Sequence, residues 1–150
     1  MRLLIKLWRL SAANRRLLIE ATLLLGVVAP GLRLLPFETV RRLMARAAQT
    51  LARSQKADDY AAKRAVWAVM AASRYVPRAG AGVCLTQALA AQTMLARRGH
   101  PALLRIGVVK DEERRLQAHA WLESGGEVVV GGAANLERFV PLPTLQGDES

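Results

Sequence analysis

The chain of 150 residues contains one cysteine, Cys84, and two histidines, His100 and His119. A single cysteine excludes an internal disulfide and any multi-thiolate zinc site. With two histidines beside it, the set is too small for a closed zinc site, and neither a metal nor another cofactor is expected. A lone thiol suits a reducing compartment, which makes the cytoplasm the expected location. Aromatic residues are also scarce. Two Phe, two Tyr and three Trp leave little material to stack on exposed bases, so nucleic acid is not an expected partner despite a net charge of +10.

Long uninterrupted apolar runs are lacking as well. Glu20, Pro30 and Arg33 fall between Leu17 and Leu35, and the apolar part from Ala21 to Leu32 is shorter than the ~20 residues needed to cross a bilayer. Met1 to Leu10 alternates basic and apolar residues without a distinct apolar core and cleavage site, so a signal peptide is not expected. A buried or surface-lying helix fits the stretch better. The positive charge is confined to one half: residues 1–75 hold fourteen Lys/Arg against four Asp/Glu, whereas residues 76–150 hold eight of each. Such a patch suits an acidic peptide or an anionic lipid surface, and peripheral membrane contact is one expectation.

A length of 150 residues suits one hydrophobic core. Residues 1–78 read as a basic helical segment and 79–150 as the core-forming stretch, the two expected to make one compact unit. Leu3, Leu4, Leu7 and Trp8 recur at helical spacing. Asn14 is placed to cap a helix carrying Leu17, Leu18 and Leu24, which Pro30-Gly31 interrupts. A helix after Pro36 carries the stripe Val40, Leu43, Met44, Ala47 and Leu51, with Arg41, Arg42, Arg46 and Arg53 mostly on its other face. Asp58 or Asp59 opens another, with Tyr60, Trp67 and Met70 expected in the core.

Residues 76–83 form a loop rich in Gly, and a helix follows from Cys84 to Arg98, with Gly99 as its C-terminal cap. Strands are expected over Ala102–Lys110, Leu116–Glu123 and Glu127–Gly131, the last two joined by the turn Ser124-Gly125-Gly126. Helices followed by an antiparallel meander make the fold class α+β.

Cys84 and His119 carry the chemistry. A thiol at a helix N-terminus feels the positive end of the dipole, which favours the reactive thiolate. Gly80-Ala81-Gly82 before it lets backbone and substrate approach closely. The first-turn N–H of Cys84 is placed to donate to a developing oxyanion, while a second donor is not identifiable. His119 on a later strand supplies a proton shuttle, flanked by the small Ala118 and Ala120. Trp121 shares its strand face, either as core or as a screen against water.

The run Cys84-Leu85-x-Gln87-Ala88-Leu89-Ala90, then Leu95-x-Arg97-Arg98-Gly99, Arg105-Ile106-Gly107-Val108, and Ala118-His119-Ala120-Trp121-Leu122-Glu123 with Gly126 resembles the leader-peptide protease family of lasso peptide biosynthesis. The likeness covers roughly residues 63–142, and the leucine-rich helices of residues 15–53 resemble the family's N-terminal segment less specifically. It implies a papain/transglutaminase-like core of one helix plus a small antiparallel sheet, with the N-terminal helical segment packed on it. It also implies a cysteine peptidase with Cys84 as nucleophile and His119 as general base, then acid. The substrate implied is the leader of a ribosomally made precursor, and the newly freed amine would pass to an ATP-dependent lasso cyclase. Some members of the family carry a fused winged-helix leader-recognition domain. Residues 1–150 leave no room for one, so a separate leader-recognition protein is the expected partner.

One position departs from the pattern. Transglutaminase-like cores carry an Asp on the strand beside the histidine, whereas Val130, Gly131 or Gly132 falls opposite His119 here. Glu127, Asn135, Glu137 or a backbone carbonyl are the candidates to orient the ring. A non-catalytic leader- or partner-binding scaffold and a transglutaminase-like acyltransferase are the alternative functions.

Overall fold

The computed structural model describes residues 2–50, 58–75, 82–132 and 135–143. These residues form five α-helices and a four-stranded antiparallel sheet: α1 (Arg2–Trp8), α2 (Ala12–Leu34), α3 (Phe37–Thr50), α4 (Asp59–Ser73), α5 (Val83–Ala96), β1 (Leu103–Lys110), β2 (Leu116–Ser124), β3 (Glu127–Val130) and β4 (Val140–Pro141). A short 3₁₀ turn, Leu136–Arg138, precedes β4. The α+β class and the order of helices before strands are as expected. The sheet order is β3-β2-β1-β4. Two-residue β4, with Val140 opposite Val108, is the element that sequence periodicity does not reveal.

α5 is the centre of the molecule. It lies against β2 on one side and against α2, α3 and α4 on others. Eight of its fourteen residues are buried, so the helix has no polar face and reads as apolar all round. Its alanines Ala88, Ala90 and Ala91 meet Ala65, Ala68 and Ala72 of α4 in one cluster, which small side chains allow by letting the helices come close. Leu25, Leu89 and Leu122 are buried to 1% exposure or less. Each such side chain contributes about 2 kcal/mol of transfer free energy. Polar links align the layers: Gln87 Nε2 donates to Ser73 Oγ at the end of α4, and Gln92 Nε2 to the Ala102 carbonyl before β1.

Three helical expectations need correction. Ser11, not Asn14, caps α2: its Oγ accepts the Asn14 N–H, while Asn14 Oδ1 accepts from Arg64 of α4. Pro30 does not interrupt α2, which continues to Leu34. Proline costs a helix about 3 kcal/mol, but Val28 and Leu32 on either side pack with Val40 and Leu89 and hold the chain helical. By length and composition α2 is therefore able to span a membrane, although its Leu17, Ala21, Leu25 and Val28 are built into the core. Tyr60, Trp67 and Met70 point outward from α4, because the face turned to α5 is the one made of alanine and valine. Leu51, Arg53 and residues 76–81 lie outside the described residues.

Gly99 (φ 75°) ends α5 as expected, and the His100 N–H returns to the Leu95 carbonyl in a Schellman closure. Just beyond, Glu20 of α2 binds both Arg97 (2.5 Å) and Arg98 (2.8 Å), joining the C-terminal end of α5 to the outer helices. In the sheet, Gly107 pairs with His119, Leu104 with Leu122, and Leu122 with Val130, after which a bulge shifts the β2–β3 register.

Candidate active site

α5 starts one residue earlier than expected, at Val83, so Cys84 is the second residue of its first turn. The turn is closed by Thr86, whose N–H and Oγ1 both donate to the Gly82 carbonyl, at 2.9 and 2.8 Å. The Cys84 thiol is half-buried at this end of the helix.

His119 lies in the middle of β2. Strand alternation turns Ala120 and Leu122 toward the helices and sends His119 and Trp121 to the other face. On that face Trp121 stacks with the imidazole, with centroids 6.3 Å apart and planes at 20°, and Phe139 closes on the imidazole at 5.4 Å. Gly107 sits beneath them. A Cβ there would come within 2.9 Å of both the Trp121 ring and Phe139 Cβ, so only glycine lets the aromatic group settle on the strand. Trp121 is buried at 4% exposure. Its Nε1 donates to Glu123 Oε1 at 2.9 Å, and Glu123 in turn pairs with Arg105 at 3.4 Å.

The group that orients the histidine is a backbone carbonyl. Gly131 O lies 2.7 Å from His119 Nε2. A carbonyl only accepts, so Nε2 carries the proton and Nδ1 is the basic nitrogen. Gly131 adopts φ 78°, and a Cβ would lie 2.6 Å from the Ala120 carbonyl oxygen. Glycine is therefore required for the chain to turn back along β2 and present its carbonyl to the ring. The signal was in the sequence, as two glycines following a valine run, but their meaning depends on the bulge that precedes them.

Cys84 and His119 thus stand on elements that pack together, α5 and β2. Among the described residues no hydrogen bond joins the two side chains, and α5 approaches β2 from the face opposite to the one on which His119 emerges. The ladder between β2 and β3 covers only Leu122–Ser124, and beside His119 the chain past β3 is held by the Gly131 carbonyl instead. Catalytic hydrogen bonds are often long without substrate and tighten in its complex. On the same face as His119, a cavity of about 530 Å³ beside Phe139 is lined by Val109, Gln117, Arg115, Asn135, Arg138 and the acidic Asp111, Glu112 and Glu113, and neither Cys84 nor His119 lines it. No cluster of metal-ligating side chains occurs among the described residues.

The model of the transglutaminase-like superfamily matches residues 24–144. The chain belongs to this superfamily. No curated protein and no solved structure matches it. The superfamily match begins inside α2, further toward the N-terminus than residue 63, where the likeness to the lasso proteases begins. It therefore takes in most of the outer helices together with α5 and the sheet. A transglutaminase-like domain suggests cysteine protease or acyltransferase chemistry, and both proceed through an acyl group carried on sulfur.

Proposed function

We propose that the protein is a cysteine peptidase that removes the leader from a ribosomally made lasso peptide precursor. The reading rests above all on membership of the transglutaminase-like superfamily, with Cys84 in the first turn of α5 and His119 on the adjoining strand β2 as the residues assigned to the chemistry. The run from Cys84 to Glu123 that resembles lasso leader proteases supports the substrate assignment.

In this mechanism His119 Nδ1 takes the thiol proton as Cys84 Sγ attacks the scissile carbonyl carbon. The Cys84 N–H donates to the oxyanion. The C–N bond then breaks, and the leaving amine receives the proton from His119. Water, deprotonated by the same nitrogen, hydrolyses the thioester and releases the leader as a carboxylate. For Nδ1 to meet Sγ this mechanism requires a rearrangement on substrate binding, because α5 packs on the face of β2 opposite to His119. A separate winged-helix protein presents the leader, and an ATP-dependent cyclase consumes the freed amine, all within the reducing cytosol.

Cleavage of the precursor, followed by mass spectrometry with the leader-binding partner present, tests the proposal. Cys84→Ala and His119→Ala should each abolish product, and full activity in Cys84→Ala would refute it. The product mass also separates hydrolysis, which adds water, from transfer of the acyl group to a second amine.

A further inference from the structure

The outer helices present an apolar face that nothing among the described residues covers. α2 turns Leu17, Ala21, Leu25 and Val28 inward, and Ile19, Leu23 and Val27 form a line on the opposite side, each at least 58% exposed. α4 behaves alike, with Trp67 and Met70 on its outer side. α2 and α4 pack against each other and both turn their inner faces to α5, so both stripes are on outward sides of the helical layer. Trp8 of α1, 78% exposed, stands at the N-terminal end of this face.

Charge delimits the same surface. Between Arg16 and Arg33 the only charged residue of α2 is Glu20, and it is bound to Arg97 and Arg98 of the α5 end. The outer side of α2 is therefore uncharged over residues 17–32, about 24 Å of helix. Lys6, Arg9, Arg15 and Arg16 lie at one end and Arg33 at the other; α4 carries Lys63 and ends at Arg74, with the acidic Asp58 and Asp59 confined to its N-terminal end. Only 22% of the most apolar stretch of α2 is buried, whereas a core helix of that composition is mostly buried.

We infer that this face lies on an anionic lipid bilayer. Three features favour a membrane over a protein partner: lysines and arginines around an apolar centre, an exposed tryptophan at the edge, and a net charge of +10. Surface-lying helices combine a basic border with an apolar face, and anionic headgroups complement such a border along its whole length. α2 lies flat instead of crossing, because its inner side belongs to the protein core. The sheet, with His119, then faces the aqueous side. The inference is independent of whether Cys84 is a peptidase nucleophile.

Sedimentation of the full chain with vesicles tests this, using phosphatidylcholine alone and phosphatidylcholine mixed with phosphatidylglycerol. The protein should pellet with the mixed vesicles, and less with phosphatidylcholine or at high salt. The exposed double substitution Leu23→Glu/Val27→Glu should lower the bound fraction about tenfold, with its helical circular dichroism and melting unchanged. Failure to pellet with mixed vesicles, or undiminished binding by the double variant, would overturn the inference. So would a dimer in gel filtration that the double variant converts to monomers, since the face would then be covered by a second copy.

Discussion

The carbonyl oxygen of Gly131 stands 2.7 Å from His119 Nε2, where a transglutaminase-like core ordinarily offers a carboxylate. A neutral acceptor fixes the tautomer as a carboxylate does, but it contributes less to stabilising an imidazolium.

Replacing Gly131 with alanine should therefore uncouple this hold. The left-handed φ costs a side-chain-bearing residue about 1–2 kcal/mol, and the added Cβ meets the Ala120 carbonyl. Melting temperature should fall, and ¹⁵N spectra of the imidazole should change from a dominant Nε2–H tautomer to a mixture. An unaltered imidazole spectrum in a folded Gly131→Ala protein would show that the carbonyl does not position the ring.

Gly107→Val is expected to open the aromatic group. The new side chain would occupy the space where the Trp121 ring and Phe139 meet the strand. Overpacking of this kind costs about 1–3 kcal/mol. Trp121 fluorescence should shift to longer wavelength as the indole gains water, and an unshifted spectrum would contradict the packing described.

Glu20→Gln should loosen the join between α2 and the end of α5. Two arginines would lose their shared carboxylate while remaining half-buried side by side. A loss of about 2 kcal/mol in urea unfolding is expected, and the Arg97→Gln and Glu20→Gln effects should be strongly non-additive. Simple additivity would mean that the pair contributes nothing jointly.

Glu38 predicts an acid-dependent component of stability. Hydrogen bonds from Arg41 first, then from Arg42, hold its carboxyl at about 2, below the usual 4.5. Because the folded value lies below the unfolded one, the contribution is complete above pH 4.5 and disappears as pH falls toward 2. Glu38→Gln should flatten the stability profile across that window. The same geometry commits Arg41 and Arg42 to an intrahelical partner, which lessens their availability to bind an acidic ligand.

What could be read beforehand follows from how local each signal is. The Cys84 helix, the Gly99 closure and the Ser124-Gly125-Gly126 turn are short-range patterns, and all appear in the structure within a residue or so. Asn14 does not cap α2 because its side chain is engaged by Arg64, fifty residues away in sequence. Pro30 stays helical, and Trp67 faces out, for reasons that reside in the alanine-lined contact of α4 with α5 and in the Val28–Leu89 cluster, neither visible along the chain. The Cys84 and His119 elements were legible, whereas the role of Gly131 depends on a bulge between β2 and β3.

Because α5 is gripped by the sheet on one flank and by three helices on the others, the backbone that carries Cys84 belongs to the core. Under the peptidase reading proposed above, alignment of the two reacting groups would then have to come from the β2 side, and selection among potential customers would act on how a strand is threaded between them.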